Sequence, residues 1–400
     1  MVNSNNKIKK IAVVSHFLAH YREPIFRLLS QQCAPQPVYV FISDQQSNIA
    51  SLKTIDIKKA DLPPEKGGIR WRFVRNYWIR SLLWQSGMLR LATSKEFDAI
   101  IYLGDVHFLS TWISCSIGRL MGKRVLMWTH GFLSREVGLK RMLRTSFYKL
   151  SHGLLLYGNR AARICHEFGF NKDSLYVVFN SLDYQKQIKL RKHIDTKMIS
   201  QFRQKTFANS KWPILIATCR LTPKKKLDML INSVSNLAKK GINVNALIVG
   251  DGPDRDYLEQ LSTQKNTNDR VLFWGACHSE EQLALFFTMA DICVMPGEVG
   301  LTCLHSFAYG TPVITHSKAD FQGPEFEAIL SGKTGDLFKH NDQTDLEEKI
   351  VKWLDIDEMR MKTKAACYEV IEKFYNPEFQ CSIINKAVRG IKVKYHYIYL

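Results

Sequence analysis

Asp291-Ile-Cys-Val-Met-Pro-Gly-Glu-Val-Gly-Leu-Thr-Cys-Leu-His-Ser-Phe-Ala-Tyr-Gly-Thr-Pro-Val-Ile-Thr315 reads as strand, glycine-rich turn, helix, turn and strand. Residues 292–295 are a short apolar run that Pro296-Gly297 breaks. After Gly300, the apolar residues Leu301, Leu304 and Ala308 share one face at helical spacing. Gly310-Thr-Pro312 stops that helix, and Val313-Ile314 opens the next buried strand. A helix entered through a glycine turn aims free backbone N–H groups and the positive end of its dipole at one point, which suits an anion. Glu298 beside that point can accept hydrogen bonds from hydroxyl groups. A diphosphate next to a polyol, as in a nucleotide sugar, satisfies both features.

Outward from this stretch the second half alternates strands and helices. Residues 213–218 form a strand, and Cys219-Arg-Leu-Thr-Pro-Lys-Lys-Lys-Leu-Asp228 opens a helix to about Lys240. A strand at 244–249 runs into Gly250-Asp-Gly-Pro253, followed by a strand at 271–275 and a helix at 280–289. A strand at 333–338 precedes helices from about 345 to 374, and Asn376-Pro377 starts a last helix. In the first half, strands are expected at 11–14, 37–41, 97–103, 125–129, 153–157 and 175–179, with Pro24 in the first turn of a helix. Such alternation argues for parallel sheets with helices on both faces. Ligands of open α/β sheets sit beyond the carboxyl ends of the strands, so His16, Asp105, His130 and Asn159 all point to one candidate cleft.

Five landmarks in order carry a family resemblance. They are Asn180-Ser-Leu-Asp183, Arg220-Leu-Thr-Pro-Lys-Lys225, Gly250-Asp-Gly-Pro253, the opening stretch and Gly323-Pro-Glu325. The chain resembles the family-4 glycosyltransferases over nearly all of its second half and more weakly over the first. The resemblance implies retaining chemistry and the GT-B fold, with two Rossmann-like doubly wound α/β domains facing a cleft. The family's usual donor motif has two glutamates separated by seven residues. Anchored on Gly300-Leu301 and Gly310-Thr-Pro312, those places fall on Gly297 and His305, while Glu298 stands one place late. Cys219 and Lys226 occupy places where the family usually has glycine. The domains are then expected at 1–185 for the acceptor and membrane side, 211–375 for the donor and 376–400 for a crossover helix and tail. A polar, basic linker is expected at 186–210.

The charge is unevenly placed. Of the net +19, residues 1–200 hold 31 Lys and Arg against 13 Asp and Glu, and residues 201–400 hold 25 against 24. A basic half fits anionic lipid or an acidic ligand, and no aromatic-glycine RNA-binding string or basic heptad region argues for nucleic acid. No apolar run reaches the ~18 residues of a membrane span, and the first ten residues make a poor signal peptide. Nine cysteines without a Cys-x-x-Cys pair argue against disulfide framework and zinc site, and for a reducing cytoplasm. The 69–84 stretch interleaves arginines with large aromatics, and 139–149 repeats the theme. Both suit a membrane surface, or helices that cover the first sheet.

Arg220 and Lys225 are expected to close on a leaving diphosphate, Arg as a fork and Lys as a point charge. Gly297, Gly300, Leu301, Thr302, His305 and Gly252 are the further donor-binding candidates. Glu298 is the candidate for sugar hydroxyls, with Glu325 and Glu327 as alternatives. His130 is placed to contact donor sugar or acceptor, and His16, Asp105 and Asn159 the acceptor. The resemblance implies that no metal ion or other cofactor is needed. The reading is a retaining hexosyltransferase taking a nucleoside-diphosphate sugar, UDP favoured over GDP, to a lipid-linked surface glycan. It would work at the inner face of the plasma membrane, as a peripheral protein. The alternatives are another GT-B nucleotide-sugar enzyme, such as an epimerase, or a non-catalytic binding subunit of a glycan-assembly complex.

Overall fold

In the computed structural model, residues 8–47, 53–355 and 360–393 are described. They divide into two units: the chain up to Leu182 together with the chain from Asn376, and Asp183–Tyr375.

The first unit holds β1 (Lys10–Val14), β2 (Val38–Ser43), β3 (Trp71–Phe73), β4 (Asn76–Ile79), β5 (Leu82–Gln85), β6 (Ala99–Leu103), β7 (Arg124–Thr129), β8 (Gly153–Leu156) and β9 (Leu175–Val177). Seven form one parallel sheet in the order β3-β2-β1-β6-β7-β8-β9, and β4 and β5 pair as a separate antiparallel hairpin. The central strands are apolar at nearly every position because helices cover both faces of a parallel sheet. Ile11, Ala99, Ile101 and Leu126 are fully buried accordingly. The order reverses direction between β1 and β6, and the crevice for a ligand lies at such a switch point.

The last helix, Pro377–Val388, belongs to this unit. Asn376 caps it by accepting from the Phe379 N–H at 2.8 Å, with Pro377 in the first turn. Arg124 Nε donates to Ala387 O at 2.8 Å, and the Tyr39 hydroxyl to Asn385 Oδ1 at 2.8 Å.

The second unit holds β10 (Ile214–Thr218), β11 (Asn245–Val249), β12 (Val271–Gly275), β13 (Ile292–Met295), β14 (Val313–His316) and β15 (Gly335–Phe338). Their order is β12-β11-β10-β13-β14-β15, all parallel, with the reversal between β10 and β13. The opening stretch is therefore β13, the turn at the switch point, the helix Thr302–Ala308 and β14.

Two expectations need correction. Residues 186–210 are not an open linker. They hold the helix Tyr184–His193 and most of the helix Thr196–Thr206, both in the second unit. Asp183 and Asp195 cap them by accepting from the N–H groups of Lys186 and Met198. Their packing is polar and cationic, which apolar periodicity does not reveal: Arg191 lies 3.7 Å over the Tyr368 ring, and Arg203 Nη2 donates to Trp212 O at 2.8 Å. The aromatic stretch 69–84 is not helical; it forms β3 and the β4–β5 hairpin. Its residues alternate with the period of two that a strand requires.

Candidate functional site

Beyond the carboxyl end of β10 the chain passes through Cys219-Arg220-Leu221 and a short 3-10 turn, Pro223–Lys225. Lys226 leaves that turn in the left-handed region, at φ 48°, before the helix Leu227–Lys239. Glycine adopts this conformation without strain, which gives a physical reason for the family's usual residue here. Beyond β13, the Gly297 N–H donates to Lys225 O at 3.0 Å and the Glu298 N–H to Lys224 O at 3.4 Å. A Cβ on Gly297 would stand 1.9 Å from Lys224 O, so only glycine lets the two loops touch. Gly252 serves the same end: its Cβ would meet Leu221 O at 2.2 Å.

These backbone contacts bring Lys225 to Glu298. Lys225 Nζ donates to Glu298 O at 2.7 Å and lies 3.7 Å from the carboxylate oxygen Oε2. The Lys225 side chain is 17% exposed and that of Glu298 42%, so the pair faces solvent on its carboxylate side. Arg220 leaves the same loop exposed, with no side-chain hydrogen bond or ion pair to a described residue. Thr302 Oγ1 donates to Thr218 O at 2.5 Å and so ties the helix start to the end of β10. Gly300, Leu301 and Thr302 donate no backbone hydrogen bond to a described residue, and the first one back across the turn comes from Cys303 N–H to Gly300 O at 3.2 Å. The expected cations, the glutamate and the free N–H groups thus meet on adjoining loops.

Sequence reasoning missed Gln322, which is buried. It accepts from the Val299 N–H at 3.0 Å and donates to Thr315 Oγ1 at 2.8 Å and His316 O at 3.1 Å. Thr315 Oγ1 in turn donates to Gly297 O at 2.9 Å. A side-chain amide thereby holds the glycine turn in shape. A lone glutamine gives no pattern to find; only its neighbour Gly323-Pro324-Glu325 did. Glu325 and Glu327 are themselves buried, at 4% and 2% exposure, which leaves Glu298 as the accessible carboxylate of the three.

The geometry departs from expectation at His305. Its Nε2 lies 3.2 Å from Glu280 Oε2, and its ring stacks on Phe287 with planes 7° apart. Glu280 also accepts from the Tyr309 hydroxyl at 2.7 Å and from Gln187 Nε2 at 2.9 Å. Burial pushes the Glu280 carboxyl up, but hydrogen bonds from His305, Gln187 and Tyr309 outweigh it and hold the group at about 2. A side chain one turn into a helix meets the neighbouring helix, and Glu280 begins that neighbour, Glu280–Met289.

In the first unit, His16, Asp105, His130 and Asn159 follow β1, β6, β7 and β8, which are neighbours in the sheet. Asp105 is engaged by His107, whose Nδ1 lies 2.8 Å from Oδ1, and both are exposed. His130 is exposed, with its ring 4.6 Å from that of Tyr157. Asn159 is buried at the start of the helix Asn159–Glu167. His16 packs edge-on against Phe17 and Phe108, and burial lowers its pKa to about 4, Asp105 opposing and Arg22 adding to the fall. His20 makes a loop contact, with Nδ1 3.2 Å from Lys53 O, and its ring stands edge-on to Tyr21. The hairpin, unforeseen from sequence, braces these loops: Gln85 Nε2 donates to Ser15 O at 2.9 Å, and Asn76 Nδ2 to His16 O at 2.7 Å.

Residues 198–370 match the family model of glycosyl transferases group 1. Among curated relatives, a GDP-mannose-dependent alpha-(1-6)-phosphatidylinositol monomannoside mannosyltransferase of Mycolicibacterium smegmatis is 30% identical over 140 residues, 32% of this chain and 35% of that protein. An N-acetyl-alpha-D-glucosaminyl L-malate synthase of Bacillus anthracis is 25% identical over 307 residues, 72% and 74% of the two chains. The chain spans between 35% and 40% of the length of the first curated relatives it matches. Among solved structures, a glycosyltransferase from Rickettsia africae superposes with TM-score 0.74 at 15% identity, over 96% of this chain and 99% of that one. The fold is that of the GT-B glycosyltransferases, two Rossmann-like α/β units.

Proposed function

We propose that the protein is a retaining glycosyltransferase of the family-4 type. It moves a sugar from a nucleoside-diphosphate sugar to a lipid-linked glycan acceptor, at the inner face of the plasma membrane. The observation that carries this reading is the cradle at the second unit's switch point. There Lys225 is anchored beside Glu298, Arg220 is free, and the N–H groups of residues 300–302 are open. As the sugar–phosphate bond breaks, negative charge grows on the leaving diphosphate, and positioned cations and N–H groups stabilise it. Lys225 spends one of its three protons on Glu298 O, which fixes the ammonium and leaves donors for a phosphate oxygen. Glu298 then accepts from sugar hydroxyls, and front-face attack passes the acceptor's proton to the departing phosphate oxygen. A matched relative named as a mannosyltransferase, that of Mycolicibacterium smegmatis, supports the reaction class. UDP is the favoured nucleotide, and a protein of the same fold, Anabaena HepE, was solved in complex with UDP.

Arg220→Ala and Lys225→Ala should each lower transfer by well over tenfold while both variants stay folded. A charge-assisted contact to the leaving group is worth ~1.5–3 kcal/mol. Release of nucleoside diphosphate from UDP-sugars, followed for wild type and both variants, is the measurement. Near-normal turnover in both would remove the donor-site assignment.

A second reading, a non-catalytic nucleotide-sugar-binding subunit, draws on the pairing of His305 with Glu280 at the place where the usual donor motif of the resembled family has a glutamate. Donor binding without any turnover, in the presence of membranes that contain the acceptor, would favour it.

The membrane role draws on two surfaces of the first unit. Tyr77 pairs across the hairpin with Trp84, and Ile79 with Leu82, and all four are exposed while Leu83 and Gln85 point inward. The helix Gly138–Lys149 exposes Leu139, Met142 and Leu143 among Lys140, Arg141 and Lys149. Rings and aliphatic side chains edged by cations suit the headgroup layer of an anionic bilayer.

A further inference from the structure

Arg22 lies between β1 and the helix Glu23–Gln31 and is only 8% exposed. A guanidinium stays charged and carries five N–H donors, so burying it without acceptors is costly. Its neighbours are rings: Cζ lies 3.9 Å from the Trp128 centroid, 4.9 Å from that of Phe26 and 5.9 Å from that of Tyr157. Rings attract the cation but offer no strong acceptor. Arg22 Nε and Nη2 are buried without a hydrogen-bond partner. Two further polar atoms close by share that condition, His16 Nδ1 and Trp128 Nε1. Asp105, a carboxylate that acts on His16, is taken by His107. Four unsatisfied polar atoms therefore gather near the carboxyl ends of β1 and β7, on the edge where open α/β sheets hold their ligands.

We propose that Arg22, with His16 and Trp128, forms a subsite in the first unit for a multi-oxygen anion, a carboxylate or phosphate carried by the acceptor. Two N–H groups of one planar guanidinium match two oxygens of such an anion, and the indole N–H supplies a further donor. Stacking on Trp128 holds the fork in place before the ligand arrives. The assignment of this ligand as acceptor rests on the transferase reading; the anion subsite itself does not.

The test is a calorimetric titration of the full chain with three matched sugars: methyl glucoside, glucuronate and glucose 6-phosphate. Wild type should bind at least one of the charged sugars tenfold or more tightly than the glucoside. Preference for glucose 6-phosphate alone assigns a phosphate, and for glucuronate alone a carboxylate. Arg22→Gln should abolish the preference, Arg22→Lys should keep part of it, and Arg220→Ala should leave it intact. Absence of any preference in wild type, its survival in Arg22→Gln, or its loss in Arg220→Ala would each overturn the proposal. Should Arg22→Gln fail to fold, Trp128→Phe keeps the ring and removes the N–H. It must then weaken the charged sugar several-fold and leave the glucoside unchanged, and equal binding of both sugars by wild type and Trp128→Phe would overturn the proposal. Sugar-nucleotide turnover, followed on the same preparations, can fail without touching these outcomes, and the reverse.

Discussion

A histidine one turn inside a helix and a lysine at the mouth of a loop carry similar chemistry but meet different surroundings here. Lys225 is held by a backbone carbonyl on the loop beside Glu298, whereas the His305 ring is turned to the neighbouring helix, where it stacks on Phe287 and meets Glu280. His305→Ala should therefore leave donor affinity within twofold and cost ~1–3 kcal/mol of stability, because Glu280 loses a partner in a part-buried place. His305→Glu should be worse than Ala, since it sets two carboxylates against each other. Donor titration beside thermal melts of both variants checks this; a donor affinity lost in Ala and regained in Glu would return His305 to the donor-binding residues. The acid limb gives a second check. Glu280 is held at about 2, below its ordinary 4.5, so its contribution is full above about 4.5 and fades as pH falls toward 2. Glu280→Gln should flatten stability over that window.

At the scale of elements, the hairpin β4–β5 works on two faces. Inward, Asn76, Leu83 and Gln85 brace the loops after β1 and β6; outward, Tyr77, Ile79 and Trp84 stand in solvent. The arginines around it differ in role. Arg70 donates to Ser30 O and Gln32 O, and Arg72 pairs with Glu96, which that pairing, Lys10 adding to it, holds at about 2. Arg75 and Arg80 are exposed and form no ion pair among the described residues. Each cation near an anionic surface is worth ~1 kcal/mol, screened within a Debye length. Replacing Arg75 and Arg80 by Gln and Ile79 by Ser should cut binding to anionic vesicles at least tenfold and leave the melting temperature unchanged. Co-sedimentation at two salt concentrations measures it; equal binding to neutral vesicles would count against an anionic partner.

At the scale of the whole molecule, the first unit is assembled from both ends of the chain. The helix Pro377–Val388 buries Ile383, Ile384, Ala387 and Val388 in the core that contains Ile11, Tyr39 and Leu126. Each buried aliphatic side chain contributes ~1.5–3 kcal/mol, and a domain's whole stability is ~5–15 kcal/mol. A chain ending at Tyr375 should thus lose the cooperative unfolding transition of the first unit and keep that of the second. Calorimetry of the truncated and full chains decides it, two intact transitions in the former being the contrary result.

Most sheet strands were legible because parallel strands buried on two faces are apolar at consecutive positions; β13 matches its expected bounds residue for residue, while β3 and the β4–β5 hairpin were not foreseen. Helix caps were legible for the same local reason, Asn376-Pro377 being one. Lys225 and Glu298 were legible as members of neighbouring motifs; that they meet, with glycines at 252 and 297 letting the backbones touch, is seen only in the structure. What local sequence could not carry were contacts made by single polar side chains across long separations. His305 on Glu280, Gln322 across the glycine turn, and Arg22 among three rings have no period and no fixed spacing. Val299 stands 23 residues from Gln322, Glu280 stands 25 from His305, and Trp128 reaches Arg22 from β7, so only folding decides which group each one meets.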